Sequence, residues 1–336
     1  MRPLFAALLF LAVSSCSSRP SLDAAAVSRA GDFASGVDKG RLMSNVDALV
    51  AAHRADTPLD CGLFSPSRTD PADRPVCNLT REKARQLVRE RFESLGYTVT
   101  THDTEDARLP TSTVIAEVRG TEHPDEVVVV GAHYDAYFAG ADDNSSGVAV
   151  MLEMARLASG KRFARTVRFL GFDLEELGLV SSTRYIQAHP DERIVASIIF
   201  DCVGYKDPSP GAQQGLPGFP MPTTGDFIAA IANEDSRPRL EELYALNSQL
   251  DLGFLRGAVT PNDGSGAAAG NLMRSDHAPF WVAGQSALFL TDTANFRNPH
   301  YHQKTDVPST LDPDFLADVT QLSAAGLSFW AGGPLP

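Results

Sequence analysis

EVVVVGAHYDAYFAGADDNSSGVA, residues 126–149, decides the fold. Glu126 to Gly131 carries four consecutive valines, and a run of β-branched residues suits a strand buried on both faces of a sheet. The strand leads through His133, Tyr134 and Asp135 into the acidic loop Gly140 to Gly147. Gly147 to Ala158 is then predicted as a helix with Val148, Met151, Leu152 and Ala155 turned inward.

The alternation continues downstream. Thr166 to Phe172 reads as a strand, Leu177 to Ala188 as a helix, Ile194 to Phe200 as a strand and Ser286 to Leu290 as another. Helix is predicted from Thr224 to about Leu250, interrupted near Pro238, and again from Pro313 to Trp330. Upstream, helices are expected at Gly40 to Ala55 and after Asn78, where Ala84, Leu87, Val88, Phe92 and Leu95 share a face before Gly96. Tyr97 to His102 and Thr113 to Val118 read as a strand hairpin. Strands alternating with helices imply an α/β fold, a mostly parallel mixed sheet with helices on both faces. No composition break divides residues 40–336, so they are read as a single domain.

In such sheets ligands bind beyond the carboxyl ends of the strands. Polar residues gather there: His133 and Asp135 after the valine strand, Glu175 and Glu176 after Phe172, Asp201 after Phe200, and His302 in the loop after Leu290. Alone, each reads as a solvated or hydrogen-bonded side chain. Together they form the imidazole and carboxylate set that suits zinc, with carboxylates able to bridge two metals.

Residues 125–310 resemble the co-catalytic zinc aminopeptidases, a metallopeptidase family that also holds glutamate carboxypeptidases and has the glutaminyl cyclases as relatives. The resemblance rests on Gly-Ala-His-Tyr-Asp at 131–135, Gly-Ala-Asp-Asp-Asn-Ser-Ser-Gly-Val-Ala at 140–149 and Phe-Asp-Leu-Glu-Glu-Leu-Gly-Leu at 172–179. Asp201, Ser-Asp-His at 275–277 and Tyr-His at 301–302 complete it. It implies two zinc ions per chain. His133, Asp143 and Asp201 would hold one and Asp143, Glu176 and His302 the other, with Asp143 bridging and a water between the metals. Glu175 would be the general base. Asp135 would accept the second ring N–H of His133, and Asp306 that of His302. The resemblance also implies a cis peptide after the bridging residue, here Asp143-Asn144. One departure stands out. Some members carry a tyrosine three residues before Ser-Asp-His that stabilises the oxyanion, and this chain has Leu272 there. Tyr301, Arg274, another group or the second zinc takes that role. Asp276 and His277 are expected to be structural.

The implied reaction is hydrolysis of N-terminal peptide bonds of peptides or proteins. A single-zinc glutaminyl cyclase, a carboxypeptidase and a non-catalytic peptide-binding lipoprotein are the alternatives. His133 and Asp201 complete the second ligand set and favour the hydrolase over the cyclase.

The rest of the chain frames where this happens. Its 336 residues carry a formal net charge of −13, which argues against nucleic acid or anionic lipid as a charge-driven partner. Arg2 precedes the apolar run Leu4 to Val13, too short to span a bilayer, which needs about 20 residues. Residues 1–15 therefore read as a secretory signal. Cys16 after small residues resembles a bacterial lipobox, implying an exported cell-envelope lipoprotein that meets the membrane only through a lipid anchor on Cys16. Residues 16–39 are expected to be a flexible tether. A disulfide between Cys61 and Cys77 fits an exported protein, and Cys202 reads as a buried thiol.

Overall fold

The computed structural model describes residues 20–59, 78–105, 109–216, 221–251, 254–262 and 269–336. The expected signal segment, Cys16, Cys61 and Cys77 lie outside these residues.

The expected tether is corrected first. Helix α1 (Ala24–Ala34) starts on Asp23, whose side chain accepts the Ala26 N–H, a cap worth about 1 kcal/mol. Val27, Ala30, Phe33 and Ala34 are buried, and α1 packs against the last helix. Burial of this apolar stripe makes the segment part of the domain, which a serine- and alanine-rich composition did not announce.

Helix α2 (Lys39–Ala55), the short strand β1 (Leu79–Thr80) and helix α3 (Glu82–Ser94) follow. Strands β2 (Thr100–Thr104) and β3 (Thr111–Val118) form the antiparallel hairpin. The valine strand is β4 (His123–His133), and β5 (Ala136–Tyr137) turns back to pair with β1. A wide turn at Ala141–Ser146 leads into α4 (Gly147–Ala158), then β6 (Arg165–Phe172), α5 (Val180–Ala188) and β7 (Arg193–Phe200).

The predicted helix from Thr224 to Leu250 is wrong in its first part. Ile228–Asn233 is strand β8, and only Arg237–Gln249 is helical, as α6. All six β8 residues are buried, and the strand is paired on both sides. Burial within a ladder overrides the helix preference of its alanines. Strand β9 (Leu255–Thr260) was not foreseen. Its Gly257 has the Tyr244 ring where a Cβ would stand, 2.4 Å away, so this strand needs glycine to accept α6. Two short helices, α7 (Ala269–Leu272) and α8 (Ala278–Val282), precede β10 (Leu288–Thr291) and the long α9 (Pro313–Ala331).

The main sheet has eight strands in the order β2-β3-β6-β4-β7-β10-β8-β9. Its centre, from β6 to β10, is parallel. Along β4, Val128 and Val130 enter the core shared with α1, α2, α4 and α9, while Val127 and Val129 enter the core on the other face, shared with α5 and α8. The sequence therefore places helices on both faces, as its unbroken valine run implied.

Candidate metal centre and catalytic cleft

The carboxyl ends of β6, β4, β7 and β10 lie side by side on one edge of the sheet. His133 is the last residue of β4 and stands in register with Phe172, the end of β6. Its neighbour Ala132 is in register with Phe200, the end of β7. Asp201, Glu175 and Glu176 thus leave the sheet beside His133 because the ladder aligns three strand ends.

The five expected ligands meet in two trios. Ligand atoms of His133, Asp143 and Asp201 lie within 4.8 Å of one another, and so do those of Asp143, Glu176 and His302. His133 Nε2 is 3.5 Å from Asp143 Oδ1 and 3.8 Å from Asp201 Oδ1. His302 Nε2 is 2.9 Å from Asp143 Oδ2 and 3.0 Å from Glu176 Oε1. Tetrahedral zinc with bonds of about 2.0–2.2 Å sets its ligand atoms roughly 3.3–3.6 Å apart, and these separations bracket that range. His133 Nε2, His302 Nε2 and Glu176 Oε1 are buried and make no acceptable hydrogen bond. Such orphaned atoms are costly in a protein interior. A dication in each trio would satisfy them, so the residues fit the metal. Asp143 uses a different oxygen toward each histidine, the arrangement a bridging carboxylate needs.

The loop bearing Asp143 is held from several sides. Asp306 accepts the N–H groups of Asp142 and Asp143 at 2.9 and 3.1 Å. This corrects the expected pairing of Asp306 with His302: both its oxygens are committed to the bridging loop. Asn144 donates from Nδ2 to the Phe200 carbonyl and accepts from Gly147 and Cys202. Asp142, which the sequence reading passed over, accepts from Gly204 N–H and Asn298 Nδ2. The Asp143-Asn144 peptide is cis, as expected.

Asp135 does more than expected. The Nδ1 atom of His133 lies 3.0 Å from the Asp135 backbone carbonyl and 3.5 Å from its carboxylate, which leaves Nε2 for a metal. The carboxylate oxygens accept the N–H groups of Glu175 and Glu176, each at 3.2 Å. One residue therefore orients the imidazole and both neighbouring glutamates. The loop start is clamped as well, since Asp173 accepts from Arg81 Nη1 at 2.6 Å and from Ser112 N–H. His302 is stacked by Tyr301 and met edge-on by Tyr137.

Electrostatics give the same picture. Burial disfavours protonation of both imidazoles, yet Asp135 and Asp201 hold His133 well above the usual histidine range. Against the same burial, Glu176 and Asp143 push His302 up to about 10. Burial first, then Asp143, raises Glu176 to about 7, and burial with nearby Asp201, Glu176 and Asp276 raises Glu175 well above the carboxylate range. Carboxylates and imidazoles buried this closely together call for compensating positive charge, which a dication in each trio would supply. Glu175 belongs to neither trio.

A cleft opens beside Asp201, lined also by Leu216, Leu272, Arg274, Phe289 and Tyr301. Leu272 is buried and its carbonyl accepts from His277 Nε2 at 2.8 Å, so it offers the cleft no side-chain donor. Arg274 and Tyr301 do line it, with Arg274 Nη2 donating to Tyr301 Oη. His277 stacks on Phe289 and sits against Trp281, a packing role. Cys202 is buried, as expected, and its thiol donates to Asp201 Oδ1.

The profile of peptidase family M28 matches residues 113–327. The uncharacterized protein YfbL of Escherichia coli is 31% identical over 262 residues, 73% of this chain and 78% of that protein. Aminopeptidase YwaD of Bacillus subtilis is 33% identical over 135 residues, 39% of this chain, and the chain spans only 29% of its length. Among solved structures, LapA of Legionella pneumophila superposes with a TM-score of 0.66 at 17% identity, covering 95% of this chain and 79% of LapA, a likeness of fold.

Proposed function

This chain belongs to peptidase family M28 and is a peptide-bond hydrolase by that membership, and from this premise we propose that it is a two-zinc exopeptidase, most simply an aminopeptidase. The observation that carries the proposal is the pair of trios sharing Asp143, with Glu175 part of neither yet feeling the charges of His133, Asp201 and Glu176. His133, Asp143 and Asp201 would hold one zinc, and Asp143, Glu176 and His302 the other. When bound, the metals supply Lewis acidity toward the scissile carbonyl and lower the pKa of water.

The chain's own groups do the rest. Glu175 takes a proton from the attacking water and returns it to the leaving amine. Asp135 fixes Glu175 and Glu176 through their backbone N–H groups, so base and ligand keep separate positions. The apolar cleft beside Asp201 receives the side chain of the terminal residue. The complete His133–Asp143–Asp201 trio supports a two-metal hydrolase over a single-metal cyclase. The name of YwaD favours the amino end of the peptide. We also propose export and anchoring through Cys16, which mass spectrometry of the mature N-terminus checks.

The function is tested by assaying purified protein on a panel of amino-acid p-nitroanilides with and without a chelator. Hydrolysis lost to the chelator and restored by zinc is expected. No zinc-restored hydrolysis across the panel would sink the proposal.

A further inference from the structure

The cleft has one feature the hydrolytic chemistry leaves unused. Its walls at Leu216, Ile231, Leu272 and Phe289 are apolar, and Arg274 is the one cation among the described residues that line it. Arg274 Nη1 donates to Asn295 Oδ1 at 2.9 Å and Nη2 to Tyr301 Oη at 3.2 Å. Both acceptors are neutral, and among the described residues Arg274 makes no ion pair. That is a contrast with Arg81 and Arg168, which reach carboxylates. The chain has 42 acidic residues against 29 basic ones, so carboxylates to pair with are not scarce.

The two contacts use part of a guanidinium with five N–H donors in a fixed fork. Asn295 and Tyr301 therefore hold Arg274 in place while leaving further donors of the fork uncommitted at the cleft wall, and its charge feels Asp201 and Glu175 only from beyond ion-pair distance. Tyr301 also stacks on His302, which ties the position of the fork to a metal-ligating residue. A preorganised fork of this kind matches a carboxylate, which accepts two parallel N–H bonds. Apolar walls leading to a cation at the rim suit a group with a methylene stem and an anionic end.

We infer that Arg274 recognises a carboxylate of the substrate, so that this enzyme selects peptides carrying an acid next to the scissile bond. The inference rests on the exopeptidase reading and names its substrate class. The carboxylate has two sources, an acidic side chain on the terminal residue or the free end of a dipeptide.

Zinc-loaded wild type and Arg274→Met are compared on two pairs that differ only in charge. Glutamyl- and glutaminyl-p-nitroanilide report the side chain. Leu-Gly and Leu-Gly-amide report the free terminus. Wild type should favour the charged member of one pair, and Arg274→Met should shrink that kcat/KM ratio by roughly ten- to a hundredfold, as for a lost charge-assisted hydrogen bond. The pair that responds identifies the source. Arg274→Glu should in addition raise lysyl- relative to glutamyl-p-nitroanilide hydrolysis, a change a misfolded variant cannot produce. Equal losses on both members of each pair would assign Arg274 to the common reaction, and unchanged ratios would leave it no role; either overturns the inference. If wild type hydrolyses none of the four substrates and nothing in the wider panel, the exopeptidase reading itself has failed.

Discussion

The two ligand trios are built differently. His133 and Asp201 stand at or one residue beyond the ends of β4 and β7, so sheet register places them. Glu176 and His302 come from loops, and hydrogen bonds and ring stacking place them: Asp135 holds Glu176 N–H, while Tyr301 and Tyr137 hold His302. The His133 side chain is 1% exposed and that of His302 is 17%. One half of the centre is part of the scaffold, and the other half is assembled onto it. The proposed two-metal chemistry would use both, with Glu175, which feels His133 and Asp201 from one trio and Glu176 from the other, as its base.

The largest expected effect tests that division of labour. Glu175→Gln should cut kcat by about 10²–10⁴-fold, the usual contribution of a general base, while metal content by elemental analysis stays at the wild-type level. Loss of metal instead would make Glu175 a ligand and dissolve the distinction from Glu176.

Next comes the asymmetry itself. During timed chelation the loop-built site should empty first. His302→Ala should retain the metal held by the strand-end trio, and His133→Ala should keep less of either. Equal rates of release for the two metals would erase the contrast.

How much of this was legible follows the same line. Strand-end residues were readable because an unbroken valine run fixes a buried parallel strand and its end fixes a ligand edge. The loop-borne residues His302 and Glu176 were visible only as polar residues following strand ends, and motif resemblance alone joined them with Asp143 into one ligand set, since no periodicity locates them. Asp306 was assigned to the wrong partner because its contacts with Asp142 and Asp143 span about half the chain and leave no local trace. Strand β8 was missed because Ile-Ala-Ala-Ile-Ala satisfies a helix as well as a strand, and its neighbours in the sheet decide. The helix at Ala24–Ala34 was hidden by low-complexity composition.

A smaller effect probes the bridge between the trios. Asp306→Asn keeps the shape but loses an acceptor for one of the two loop N–H groups. It should weaken zinc binding by about 10–100-fold, the usual cost of a lost outer contact. Competition with a zinc indicator dye measures it, and unchanged affinity would leave Asp306 a bystander.

The effect expected to touch activity least concerns the clip beneath His302. His53 Nδ1 meets Thr80 Oγ1 at 3.0 Å, and β1 pairs with β5, which carries Tyr137. Burial lowers the His53 pKa to about 4. The unfolded chain therefore binds more protons between pH 6.5 and about 4, and stability falls as pH falls through that window. His53→Gln should flatten the fall in Tm from pH 6.5 to 4, with at most about 3 kcal/mol at stake. An unaltered slope would show that His53 does not govern it.

The most direct test of the account is the zinc content of purified protein, wild type against Asp143→Ala, read beside activity. The shared carboxylate predicts two zinc ions per wild-type chain, and loss of both metals and of hydrolysis together when Asp143 is removed. A fully active wild type with one zinc, or an Asp143→Ala protein that keeps two, would contradict it.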